Sequence, residues 1–349
     1  MYRLKLAGVK DRNIRRILKN FKNYDDIFKL DRNILNKYIG VSESDKVYSS
    51  LKINLDEEMD NLRKKGIKIL SIQDKDYPLE LKNIAQPPLF LYYKGNINLL
   101  KNKKIGIVGT RKPTKYGKIC CEKLVRELVE NEITTVSGLA LGIDSICHKI
   151  TLQCKGNTIA VVGSGLDVVY PKENKNLWGE IAKKGLLISE YPINTQPMPY
   201  NFPLRNRIIV GLSRGILVVE SRKRGGSLIT AEIALDENRY IFAIPGDIFS
   251  PCSEGTNKLI SESSGKLVTS GYEILEEYGW NKDKITSDKK LNLTDYELKI
   301  YNVLSIEKNL DEIMLETSMK AGEILSILME LEVKNIVCSL PGGKYRRKM

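Results

Sequence analysis

Between residues 64 and 275, short apolar runs alternate with amphipathic stretches. The apolar runs are IGIVGT (105–110), TTVSG (134–138), TIAVVGSG (158–165), LLISE (186–190), GILVVES (215–221) and YIFAIPG (240–246). Helical periodicity falls between them, at 116–131, 142–154, 174–184, 203–212 and 226–238. Near-continuous apolar strands separated by helices predict a parallel sheet covered on both faces. The expected class is therefore α/β, with an extended Rossmann-like, doubly wound parallel sheet. Ligands of such sheets sit outside the carboxyl ends of the strands, which makes the strand exits the place to look for chemistry.

The flanks follow other rhythms. Residues 1–63 read as short helices with polar turns, with Ile14, Ile17, Leu18 and Phe21 at helical spacing. They predict a small helical domain of the SAM or helix-hairpin-helix kind, although the glycine pattern of the latter is incomplete. Residues 276–293 are polar and lysine-rich and read as a linker. Residues 294–349 offer three helices and two short strands in winged-helix order. Their third helix carries Glu323, Glu330 and Glu332, with Lys320 only at its start. Such a face repels phosphate, so a packing or partner role is expected there.

Charge sharpens this division. The chain of 349 residues carries a net charge of +13. Residues 1–65 hold 16 Lys and Arg against 10 Asp and Glu, residues 66–275 hold 28 against 20, and residues 276–349 hold 12 against 13. A polyanion partner would meet the first two segments rather than the tail. A lysine-rich surface without such a partner is the plainer explanation of the same numbers. No run reaches the ~18 apolar residues of a membrane helix, and the first residues show no signal core. A cytoplasmic protein without membrane attachment is expected. The six cysteines form no CxxC pair and read as thiols in a reducing compartment.

Five strand exits carry candidate chemistry. After the first, Gly109, Thr110 and Arg111 precede a helix start, where backbone N–H groups attract phosphate and an arginine makes bidentate contacts. The glycine spacing excludes a Walker A loop, and Ile119 stands where Ser or Thr is needed. At the second, Gly138 and Gly142 bracket a tight loop, Asp144 suits the following helix dipole, and His148 is expected to make a structural hydrogen bond. As the only histidine, it excludes His-rich metal sites. The third exit begins Gly163-Ser164-Gly165, but Val168 stands at the third glycine position of a dinucleotide fingerprint, which argues against NAD. No cofactor is expected. Downstream, Lys172, Lys175 and Trp178 suit single-stranded nucleic acid if the ring stacks on a base; the alternative places Trp178 in the core. At the fourth, Arg205, Asn206 and Arg207 open a helix behind Phe202-Pro203. One arginine is expected to face a ligand and the other to pin loops, with Arg207 assigned to the ligand. At the fifth, Lys223, Arg224 and two glycines precede a helix expected to be capped by Ser227.

Taken in order, GTR, SGLALGIDSICH, TIAVVGSGLDVVYP-KEN, SEYP, FPLRNRII-GLS, VVES, GGSLITAEIA, AIPG and GTNKLI resemble the DprA/Smf family of bacterial DNA-processing proteins over roughly residues 100–270. The resemblance implies a non-enzymatic protein that binds and protects single-stranded DNA, loads RecA recombinase and acts in natural transformation. It also implies a homodimer formed through the Rossmann-like domain. The family's DNA-binding arginine falls on Arg111, and its lysine–aromatic pair falls on Lys175 and Trp178. GGSLITAE departs from the family's commoner Ser-Gly-Ser.

Two other readings compete. GGSLITAE also resembles the loop of nucleoside-monophosphate phosphoribohydrolases, with Glu232 at the catalytic spacing, but Leu228 and Ile229 replace the Gly-Thr of its phosphate turn. A nucleotide-sensing module that binds no DNA is the third reading.

Overall fold

The computed structural model describes residues 1–20, 24–280, 293–334, 336–340 and 342–347. Phe21 and most of the expected linker lie outside the described residues, as does the side chain of Leu18. The chain forms two compact units, Met1–Asn281 and Lys282–Met349.

The first unit begins with helices α1 (Tyr2–Leu6), α2 (Asp11–Asn20), α3 (Arg32–Ile39), α4 (Val41–Ser49) and α5 (Leu55–Lys64). Then follow β1 (Lys68–Ser71), α6 (Leu79–Lys82), β2 (Phe90–Gly95), β3 (Lys104–Val108), α7 (Lys115–Glu130), β4 (Thr134–Ser137), α8 (Ile143–Gln153), β5 (Thr158–Val162), α9 (Lys175–Lys184) and β6 (Leu186–Ser189). The unit closes with α10 (Asn201–Leu212), β7 (Gly215–Val218), α11 (Gly226–Asp236), β8 (Tyr240–Ala243), α12 (Glu254–Ser261), β9 (Lys266–Leu267) and α13 (Gly271–Glu277). The six expected strands are β3 to β8. The expected helices between them are present, with ends shifted by a residue or two.

The nine strands lie in the order β1-β2-β6-β5-β4-β3-β7-β8-β9. All pairs from β6 to β9 are parallel; β1 and β2 add an antiparallel edge. Every residue of β3 to β7 is buried, as a sheet covered on both faces requires. The fold is thus Rossmann-like. Its order runs outward from β3 to β6, returns through α10, and resumes outward from β7. The switch point lies between the exits of β3 and β7.

The boundary expected at residue 63 is not a break in packing. Leu4, Ile14, Ile17, Leu35 and Val47 of the helices share one apolar cluster with Leu89 and Phe90 at the β2 edge. The expected linker also begins later than residue 276. Helix α13 runs to Glu277, and Tyr278 and Trp280 pack against the apolar layer formed by α7, α8 and α13.

One polar network crosses this core. Thr135 Oγ1 lies 3.0 Å from Thr151 Oγ1 and 2.8 Å from Thr158 Oγ1. His148 Nδ1 joins it at 2.6 Å from Thr158 Oγ1, the structural hydrogen bond expected. Burial pushes the imidazole pKa down to about 3, and the Arg205 charge adds to this. An unfolded histidine titrates near 6.5. Above that pH both states are neutral and the ring adds no pH dependence to stability. As pH falls from ~6.5 towards 3, the unfolded chain takes up a proton that the native ring refuses, and stability declines. The thermal midpoint of His148→Gln should therefore fall less steeply between about pH 6 and 4 than that of the parent chain. Parallel curves would rule out the ring as the titrating group.

The second unit holds α14 (Asp295–Val303), β10 (Lys308–Asn309), α15 (Leu310–Thr317), α16 (Ala321–Val333), β11 (Val337–Leu340) and β12 (Lys344–Arg347). Its strands order β10-β12-β11 around a core of Ile300, Leu304, Ile313, Ile324, Leu328, Leu331 and Val337. This is the winged-helix order, with one short strand, β10, beyond the sequence expectation. Helix α16 exposes the three expected glutamates together with Leu325, Met329 and Val333.

Candidate nucleic-acid interface

A groove of about 530 Å³ opens at the switch point. The exits of β3 and β7 form its floor, where Thr110 N–H donates to the Glu220 carbonyl at 2.8 Å. Glu220, 2% exposed, accepts hydrogen bonds from Thr114 N–H and Oγ1 at 2.9 and 2.5 Å, which ties the β7 exit to the start of α7. Gly142, at φ +82°, packs against the backbone of Arg111; a Cβ there would lie 2.7 Å from Arg111 Cα. Positive φ and this close approach both call for glycine. The result is a rigid loop that holds Gly109, Thr110 and Arg111 along one wall.

Arg111 is exposed, and no carboxylate pairs with it among the described residues. Its guanidinium stands 6.0 Å from the ring of Phe202. Phe202 in turn packs 5.4 Å from Tyr170, and both rings line the groove. The lining also includes Arg222, Arg224 and Gly225, with Gly226, Ser227 and Thr230 of α11. Helix α11 points its N-terminus at the groove. Four arginines, two aromatic rings and a helix N-terminus thus surround one concavity. Such a set suits phosphate and stacked bases.

Helix α10 explains which of its residues take part. It begins at Asn201, two residues earlier than the expected start. Phe202, Arg205, Asn206 and Ile209 then follow i, i+3, i+4, i+7 spacing and share the groove face. Arg205 is the loop pin. It is 4% exposed and donates to the carbonyls of Gly138, at 2.8 Å, and Val161, and to Asn206 Oδ1 at 3.2 Å. Burial lowers its pKa to about 10, with the carboxylate of Asp144 opposing the shift, so it stays charged at neutral pH. Asp144 accepts from Gly138 N–H at 3.1 Å and Ala140 N–H at 3.3 Å; burial raises its pKa while Arg205 opposes. Gly138 is needed for room: a Cβ there would lie 2.6 Å from Arg205 Nη2. Asn206 Nδ2 donates to Thr230 Oγ1 at 2.9 Å and joins α10 to α11.

Three expectations need correction. Arg207 does not face the groove. It points to the other side of α10 and pairs with Glu190, its Nη2 2.5 Å from Oε2, with both side chains largely buried. Trp178 is 6% exposed and belongs to the core under α9, with Leu62, Tyr92, Leu166 and Ile181. It offers no ring face to a base and does not share the exposed side of α9 with Lys175. Ser227 does not cap α11: the cap is Gly225, and Ser227 Oγ donates to Ser221 Oγ at 2.8 Å. Lys172 and Lys175 are exposed at the β5 exit but lie outside the groove lining. Glu232 is likewise exposed and outside it, so the glutamate on which the hydrolase reading depends does not line the concavity. The residues that sequence reasoning missed are Phe202, Tyr170 and Arg222. The i, i+3, i+4 spacing of Phe202 with Arg205 and Asn206 was the available signal.

Among the described residues, no helix is long and apolar enough to cross a membrane. Fold and site together define a Rossmann-like protein with a cationic, aromatic groove at its switch point, followed by a winged helix. Residues 68–279 match the family described as DNA recombination-mediator protein A, and residues 289–343 match the DprA winged helix domain. The chain is 42% identical to DNA processing protein DprA of Streptococcus pneumoniae over 280 residues, covering 80% of this chain and 97% of that one. It is 36% identical to protein Smf of Escherichia coli over 280 residues, covering 77% and 75% of the two chains. The chain belongs to the DprA/Smf family of DNA-processing proteins. The X-ray structure of the Streptococcus pneumoniae protein superposes with a TM-score of 0.71, covering 79% of this chain and 96% of that one. The structure of DNA processing protein A from Helicobacter pylori, described for its single-stranded DNA binding mode, superposes with a TM-score of 0.56 at 30% identity, covering 61% and 95%.

Proposed function

We propose that this chain binds single-stranded DNA in the switch-point groove, shields it, and passes it to RecA recombinase during DNA uptake and recombination. It acts as a non-enzymatic cytoplasmic homodimer. The observation that carries the DNA reading is Arg111, without an ion pair among the described residues, beside Phe202 in one concavity lined also by Arg222, Arg224 and the N-terminus of α11. Phosphates meet the arginines and the helix end, while bases meet the rings. The single-stranded DNA binding of the Helicobacter pylori relative supports the same reading. Transfer to RecA and dimerisation rest on family membership. Gly109, Thr110, Gly138, Asn206 and Ser227 shape the groove, and Lys172 and Lys175 extend its positive field beyond the β5 exit.

The test is oligo-dT binding by the parent chain and by Arg111→Ala. The variant should lose at least about tenfold in affinity with an unchanged thermal midpoint. The slope of log affinity against log salt should fall by ~0.7, because one fewer phosphate is neutralised. Equal binding by both proteins would refute the site.

A further inference from the structure

Among the described residues of the first unit, the loop between β8 and α12 carries the two most exposed large apolar side chains. Phe249 is 87% exposed and Ile248 is 78% exposed. The loop that presents them is fixed. Gly246 N–H donates to Asn257 Oδ1 at 3.1 Å, and Asn257 Nδ2 donates to the Gly246 carbonyl at 3.0 Å. Tyr116 Oη donates to the Pro245 carbonyl at 2.7 Å. Within the loop, Phe249 N–H donates to Asp247 Oδ1 at 2.8 Å and Ser250 N–H to the Asp247 carbonyl at 3.0 Å. Such order at the tip holds an aromatic ring in water, which costs solvation unless something covers it.

The position of the loop suggests what does. Its far end abuts the groove rim, where Gly255 N–H donates to the Ser221 carbonyl at 2.8 Å. Ser221 lines the groove, and the next residues are Arg222, Lys223 and Arg224, all exposed and in no ion pair among the described residues. Phe249 is six residues from Gly255 and so lies within ~20 Å of that rim. We infer that Phe249 is a second stacking platform, which takes a nucleobase of a single strand leaving the groove past Arg222 and Arg224. The carboxylates of the loop do not bar the path: Asp247 turns an oxygen to the Phe249 N–H, and Glu254 begins α12, beyond the tip. This inference rests on the proposed DNA groove and extends it.

The experiment measures affinity across an oligo-dT series from about four to about twenty nucleotides, using the full chain, Phe249→Ala, Phe249→Leu and Phe249→Trp. The shortest strand is held by the groove alone and should bind all four proteins equally. The longer strands should bind Phe249→Ala and Phe249→Leu about fivefold or more weakly, and Phe249→Trp as tightly as the parent, because the contact is a base stacked on a ring. Equal affinities at every length would overturn the inference. So would a Phe249→Ala chain that keeps its affinity for long strands but changes its sedimentation mass, since the loop would then be a contact between copies. If the parent chain bound no strand of any length, the groove itself would be refuted. If Arg111→Ala weakened every length and Phe249→Ala none, only the second platform would fall.

Discussion

Replacing Arg205 by alanine should cost the fold ~3–5 kcal/mol, the scale of loss when buried acceptors lose their charged donor and a buried carboxylate loses the cation near it. The guanidinium is almost fully buried and donates to the exit loops of β4 and β5 through the carbonyls of Gly138 and Val161. Alanine leaves those carbonyls and Asn206 Oδ1 without this donor and strips Asp144 of the cation beside it. Each unsatisfied buried group adds its own desolvation cost. Arg205→Lys keeps the charge but cannot reproduce the planar fork, so it should fall between the two. Urea unfolding measures both. An alanine variant whose midpoint stays within the range of ordinary surface substitutions, about ±0.5 kcal/mol, would show that Arg205 does not hold the loops. Because these loops also form the groove, single-stranded DNA affinity should drop even where the variant is folded. A stability loss with intact binding would separate the two roles.

Trp178→Ala should be as damaging to stability and nearly silent in binding. Removing a buried indole costs ~3–5 kcal/mol through lost transfer free energy and the cavity left behind. The ring is 6% exposed within the cluster that joins α9 to the sheet and to Leu62 of α5. Measured on folded protein, affinity for oligo-dT should match the parent chain. A base stacked on this ring would instead cost ~1–3 kcal/mol of binding. A clear affinity loss with an unchanged unfolding midpoint would return Trp178 to the interface. The midpoint and the affinity therefore move in opposite patterns for Trp178→Ala and Arg111→Ala, and the pair distinguishes core from groove.

The contrast between Trp178 and Phe202 shows how far one dimension reaches. Both rings lie three residues from a cation, Trp178 from Lys175 and Phe202 from Arg205, and the two pairs look alike in sequence. In α9 the ring turns into the apolar layer under the helix, and Lys175 stays in water. In α10 the ring and Arg205 face the same concavity. Spacing states only which residues can share a helix face. Only the packing of the helix against the sheet states whether that face meets the core or a groove. Arg205 and Arg207 separate for the same reason, since two residues of helix turn them to different sides, one to the strand exits and one to Glu190.

Chain patterning alone determined the parallel sheet, its six central strands and the winged-helix order, and short motifs carried the resemblance to the family. Each of these follows from local periodicity or from residues adjacent in sequence, and both survive without coordinates. The exit of β3, with Arg111 beside a helix start, was legible on the same terms. The tertiary structure decided the rest. The antiparallel edge of β1 and β2, the packing of the N-terminal helices against it, and the meeting of β3 and β7 depend on strand order, which no local pattern encodes. The aromatic pair of Phe202 and Tyr170 comes from segments more than thirty residues apart. Their contact exists because α10 crosses back over the sheet and sets its first turn beside the β5 exit. Long-range contacts of this kind depend on which faces are buried together, and burial is a property of the folded whole.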